Sequence, residues 1–218
     1  MKELLAIREQ VDEELRATRI VSGILSGQFE LPTYACYLTN TRYYAQFSPV
    51  VMALGAARCA ASHPALSVYL LRHAAEEHGH DAWALADLAD LGVPEAEALA
   101  ATPVPACAAL VGYVHFLAGH ANPVALFGWM YVLEAVGNDL GTIAGEHLAR
   151  ALAGSPAVRF VAGHGVADTD HSAELTEQIE RHVTAARDRA DVLDAARVVA
   201  DLYLRMFHEI GGERAQWA

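Results

Sequence analysis

The sequence predicts an all-α protein, a single bundle of about seven helices spanning residues 1–218. Three observations carry that expectation. Ala and Leu dominate, and β-branched residues rarely alternate with polar ones, which favours helices over strands. Apolar residues recur at helical spacing through most of the chain. Proline and glycine gather at a few points and divide the pattern into segments. With 218 residues, 54% of them hydrophobic, the chain is long enough for one full core, too short for two ordinary domains and too apolar to be disordered.

The elements follow in order. A first helix runs from about Lys2 to Ser26, with Leu4, Leu5, Ile7, Val11, Leu15 and Ile24 near one stripe. Pro32 suits the first turn of a second helix, which Pro49 is expected to kink before its end near Ala61. Pro64 opens a third helix reaching about Leu91, where Gly92-Val93-Pro94 stops it. A loop holding Pro94, Pro103 and Pro105 leads to a short apolar helix from Ala106 to Leu117. Asn122-Pro123 starts a fifth helix that ends near Leu152, before Gly154-Ser155-Pro156. A sixth covers about Ala157 to Ala186, and a last one runs from Arg187 to Ile210.

Charge and cysteine usage narrow the function classes. Lys+Arg total 15 against 27 for Asp+Glu, a formal charge of -12, which disfavours nucleic acid and anionic membrane surfaces as partners. No stretch of ~18 uncharged apolar residues exists, so a membrane span is not expected. The start, MKELLAIREQVDEEL, lacks the apolar block of a secretory signal, so a cytoplasmic location is expected. Cys36, Cys59 and Cys107 are scattered and odd in number, which fits small core residues and not a disulfide framework or metal knuckle. A homodimer is the default expectation for a small helical enzyme.

Three patches of ligand-type residues stand out. In the third helix, His73, Glu77 and His80 fall within about 60° of one another at 100° per residue. They share the inward stripe of Leu66, Leu70, Ala84 and Leu88, whereas Glu76 lies nearer the edge, beside Tyr69, Trp83 and Asp87. In the fifth helix Glu134 stands on an apolar stripe with Phe127, Met130, Gly137 and Gly141. The two glycines leave room beside its carboxylate. In the sixth helix His164, Asp168 and His171 are at i, i+4 and i+7, on one stripe with Val161, Leu175 and Ile179. One histidine on an apolar face is an ordinary hydrogen-bonded core residue. Three carboxylates and three imidazoles turned inward from three helices are not, because burying them unpaired would exceed the stability of a domain. A cation cluster removes the difficulty, and mixed oxygen and nitrogen donors without sulfur suit non-haem iron or manganese better than structural zinc.

At these residues the chain resembles the haem-oxygenase-like diiron oxidases and oxygenases, often described only as iron-containing redox enzymes. The family pattern of an inward Glu and His, a later Glu, then His-x3-Asp-x2-His reads here as Glu77-x2-His80, Glu134 and His164-x3-Asp168-x2-His171. The likeness covers most of the chain from Tyr34 onward. It implies a haem-oxygenase-like bundle that holds two Fe2+ ions, or Mn, and activates O2. It assigns His80, Glu134 and His164 to one metal, Asp168 and His171 to the other, and Glu77 to the bridge. Some members carry the first Glu one turn earlier, at the position of His73, so His73 is either an extra ligand or part of the pocket; Glu76 is the fallback for Glu77. Catalytic roles fall by resemblance to Glu77, Glu134 and Asp168.

The implied reactions are oxidations of small organic molecules: N-oxygenation, desaturation or cleavage of amino acids and amines, or decarboxylation of fatty acids. An amino acid or amine is the preferred substrate, alongside O2 and an external electron donor. Tyr44, Phe127, Met130 and His73 are the expected pocket residues, with Tyr37, Tyr43, Phe47 and Trp129 as further candidates and Arg42 as a carboxylate-binding candidate. Two alternatives share or use the architecture. One is a hydrolase of the thiaminase-like TenA type, which would need a Cys nucleophile; the other is a non-catalytic metal-binding bundle. Haem ligation is disfavoured, because it would need an axial His on the first helix and no His occurs before His63.

Overall fold

A computed structural model describes residues 1–212; the side chains of residues 165–170 lie outside the description, and with them that of Asp168. The described residues form α-helices with no strand. The helices are α1 (Lys2–Ala17), α2 (Arg19–Ser26), α3 (Leu31–Ala45), α4 (Ser48–Cys59), α5 (Pro64–Glu76), α6 (Asp81–Asp90), α7 (Glu95–Ala100), α8 (Pro105–Gly119), α9 (Leu126–Val136), α10 (Thr142–Ala151), α11 (Arg159–His182) and α12 (Ala186–Ile210). None is long and apolar enough to cross a membrane.

Several of the long helices expected from periodicity are broken in two, each for a local reason. Thr18 has an extended backbone; its hydroxyl donates to the Leu15 carbonyl at 2.6 Å and accepts from Val21 N–H at 3.4 Å. It thus closes α1 and caps α2, the competition with helical bonding typical of Thr. Pro49 sits in the first turn of α4, and the chain bends before it, at Gln46–Phe47. Gly79 divides the expected third helix into α5 and α6 with φ +94°, a conformation that favours glycine. The expected fifth helix is α9, a π-helical turn at Gly137–Gly141, and α10. The loop of prolines contains α7.

The core gathers around α9, which is buried on nearly every side and packs on α12, α11 and α1. Gly128 makes the closest of these approaches. A Cβ there would lie 2.1 Å from the Val192 carbonyl oxygen, so only glycine lets α9 and α12 come this near. On the opposite side α5 and α6 lie against α11, and α3 packs on α6. Elements from three distant parts of the chain therefore meet beside α9.

Candidate metal centre

Seven residues separate His73 from His80 along the chain, and seven separate His164 from His171. On a helix that interval is two turns, about 10 Å. The structure sets the two pairs face to face in opposite order. The His73 and His171 rings meet edge-on with centroids 4.7 Å apart, and the His80 and His164 rings do so at 4.8 Å. Glu77, at the end of α5, lies between the pairs.

Two groups of donor atoms result, each with all its atoms within 4.8 Å of one another. The first holds His73, Glu77, Glu134 and His171; the second holds Glu77, His80 and His164. In the first, His73 Nε2 lies 2.8 Å from Glu134 Oε1, and His171 Nδ1 lies 3.8 Å from Glu134 Oε2. In the second, His80 Nδ1 is 3.1 Å and His164 Nε2 3.8 Å from Glu77 Oε2. Glu77 is common to both.

This grouping corrects the sequence-based one. Glu134 stands with His73 and His171, not with His80 and His164. The turn at Gly79 and the two-turn spacing on α11 carry the second histidine pair away from the α9 carboxylate. His73 is a full member of the first group, 1% exposed, and is not among the residues lining the cavity beside the centre. Glu76 stays at the rim, 40% exposed, with an oxygen 3.6 Å from His171 Nε2. Asp168 lies outside the described residues.

The electrostatics suit cation binding. Burial pushes the His73 imidazole below its ordinary pKa, against the pull of Glu77 and Glu76. Burial, then the neighbouring His73, does the same for His171. Both rings are therefore biased to the neutral form that a metal requires. Burial pushes the Glu77 carboxyl upward, but His164 and His80 outweigh it and hold it well below the carboxylate range. The His164 Nδ1–H donates to the Phe160 carbonyl at 3.1 Å, since a carbonyl oxygen only accepts. That bond fixes the tautomer and leaves Nε2 facing Glu77.

A cavity of about 120 Å³ reaches Glu77, Glu134 and His164. Tyr44 and Met130 line it as expected, as do Tyr37 and Trp129. Phe127 does not; it is fully buried behind the centre against Tyr69, whose ring stacks on His73 at 5.7 Å. Tyr43, Phe47 and Arg42 are also absent from the walls, and Arg42 reaches Gln46 instead. The remaining walls are largely aliphatic: Ile20 and Ile24 of α2, Leu133 and Leu140 around the π-helical turn, Leu148 of α10. No Arg or Lys lies among the described lining residues. Gly137 and Gly141 also face the cavity, with ordinary helical φ of -56° and -59°, so space and not backbone conformation is what they provide.

Sequence comparison supplies the family. A model of the iron-containing redox enzymes matches residues 36–204. The chain belongs to that family. The fold is shared with solved structures of low identity. One is a domain of unknown function with a haem-oxygenase-like fold from Shewanella denitrificans OS217, at TM-score 0.86 and 23% identity, covering 96% of this chain and 90% of that one. Another is a TenA homologue from P. horikoshii OT3, at TM-score 0.76 and 12% identity, covering 98% of each chain. A TenA homologue from Pseudomonas syringae pv. tomato has TM-score 0.76 and 13% identity over 98% and 92%. No curated protein matches the chain. The iron-containing redox family thus has here a haem-oxygenase-like fold whose His/Glu cluster could hold metal.

Sequence reasoning underrated three residues. His73 was left between two roles, although its matched spacing with His80 mirrors His164 and His171. Trp83 and Asp87 were placed near an edge. Asp87 is in fact fully buried, and the Trp83 ring lies on His80. Apart from these three, Asp139 accepts from Arg8 Nε at 2.6 Å and ties α1 to the π-helical turn.

Proposed function

We propose that the protein is an O2-dependent, non-haem diiron oxidoreductase. The observation that carries this reading is the pair of histidine–carboxylate groups sharing Glu77. Two adjacent cations need a common anionic bridge and neutral imidazoles on either side, and no sulfur donor enters either group. His73, Glu134 and His171 would hold one iron, His80 and His164 the other, and Glu77 would bridge. Asp168 enters this reading from the sequence pattern alone. Ferrous iron bound there supplies the electrons and the open positions with which O2 is reduced.

The chain's own residues do the rest. Burial biases His73 and His171 to the neutral form, and the hydrogen bond to the Phe160 carbonyl orients His164. The aliphatic walls exclude water, which strengthens every charge interaction inside. They also select the substrate. Without a cationic wall residue, a substrate carboxylate meets positive charge only at the metals, and an amine meets negative charge only at Glu77 and Glu134. The proposed substrate therefore has an apolar body and one polar group directed at the centre. Hydrophobic amines, apolar amino acids and acyl chains all satisfy this.

Hydrolysis of the TenA type finds no support in the cysteines. None lines the cavity. Burial pushes the Cys107 thiol up to about 12, where it is no nucleophile at neutral pH. The decisive experiment is anaerobic titration with Fe(II), followed by O2. Two ions per chain, a transient visible absorption and oxygen consumption are expected. A chain that binds at most one ion and consumes no O2 is a binding module instead.

A further inference from the structure

The second histidine pair is held by residues that are not themselves donors. Asp87, on α6, is fully buried, and its carboxylate accepts from the first turn of α11. Arg159 N–H donates to Oδ1 at 3.1 Å and Phe160 N–H to Oδ2 at 2.9 Å, and the Arg159 guanidinium adds a third bond at 3.1 Å. Phe160 in turn accepts from His164 Nδ1–H at 3.1 Å and stacks its ring on His164 at 4.1 Å. One turn before Asp87, Trp83 stacks on His80 at 4.1 Å and meets His164 edge-on at 5.6 Å. Its ring occupies the space beside Gly163, where a Cβ would come within 2.8 Å of the indole. At the first pair α5 and α11 are joined at the rim instead, by the Arg72–Glu174 ion pair and by Glu76 Oε2 at 3.6 Å from His171 Nε2, while the buried His73 rests on Tyr69 of its own helix.

We propose that Trp83 and Asp87 are positioning residues that latch α6 to α11 and thereby set the His80–His164 half of the centre, independently of the His73–His171 half. Asp87 anchors the start of α11 through Phe160. Trp83 fills the notch at Gly163 and holds both imidazoles by their faces and edges. Gly163 is glycine for the sake of that ring. The latch rests on the diiron reading for its purpose, but not for its existence.

Two measurements separate the two. In metal-free protein, imidazole NMR signals of His80 and His164 should move in Trp83→Ala and in Gly163→Ala, while those of His73 and His171 stay in place. Trp83→Phe, which retains an aromatic face, should restore most of the wild-type positions. Under anaerobic conditions, Co(II) titration followed by visible absorption should show two equivalents in the wild type. Trp83→Ala and Asp87→Asn should weaken one of them by roughly 10- to 100-fold and leave the other unchanged, the usual size of an outer-sphere effect. If wild-type protein binds fewer than two ions, the diiron reading falls, and the NMR comparison still judges the latch. Unmoved His80 and His164 signals in Trp83→Ala overturn the latch, as does equal weakening of both equivalents in folded protein.

Discussion

The two halves of the centre are built in different ways. The half with His73, Glu134 and His171 draws on three helices, α5, α9 and α11, with His73 and Glu134 buried and His171 17% exposed. The half with His80 and His164 sits where the chain turns at Gly79, with both side chains partly buried, 12% and 16% exposed. Packing of long helices fixes the first. A buried carboxylate, an indole and a missing Cβ fix the second. His80 stands at a turn and needs neighbours to hold it, whereas His73, Glu134, His164 and His171 stand within or beside continuous helices.

Glu77 joins the halves, so its removal has the largest effect. Glu77→Ala is expected to abolish binding of both metal equivalents, whereas His73→Ala and His80→Ala each abolish one. Co(II) titration of the three variants reads this directly, and retention of two equivalents by Glu77→Ala breaks the shared-bridge assignment. Next in size is the stability of the His80–His164 half. Truncating Asp87 leaves the Arg159 and Phe160 donors of α11 without their carboxylate, so Asp87→Ala should lose about 3 kcal/mol of folding free energy in urea denaturation. A loss under about 1 kcal/mol would make Asp87 a minor contact.

The cavity touches both halves through Glu77. Binding of linear alkylamines or carboxylates to the metal-loaded protein should tighten about fourfold per methylene while the apolar walls still have room. Gly141→Leu should end that series at a shorter chain and leave Co(II) binding intact. An unchanged length dependence would place the substrate elsewhere. The smallest effect lies outside both halves: at neutral pH iodoacetamide should label Cys36 before the buried Cys59 and Cys107, because only Cys36 is partly exposed. Rapid labelling of Cys107 would revive a thiol mechanism.

Particular residues show how far the sequence can be read. Leu66, Leu70, Ala84 and Leu88 were expected on the inward face and are fully buried. Glu134 stood out as a carboxylate on an apolar stripe and is buried on α9. Glu77 and His80 were placed on one straight helix. They face inward across a turn instead, because Gly79 adopts a conformation that 100° arithmetic does not contain. The π-helical turn beside Glu134 was equally invisible to a fixed period, although the glycines that bound it were noticed for the room they leave.

The amino-acid sequence alone determined an all-helical chain and the family's order of inward acids and histidines. Those properties depend on residue type and local spacing, which repeat every turn. Tertiary structure alone decided which histidine faces which, that His73 belongs with Glu134, and that Trp83 and Asp87 lock α6 to α11. These depend on the opposed direction of two helices about ninety residues apart in the chain and on a close approach at Gly163. No periodicity within one helix carries information about the direction or separation of another.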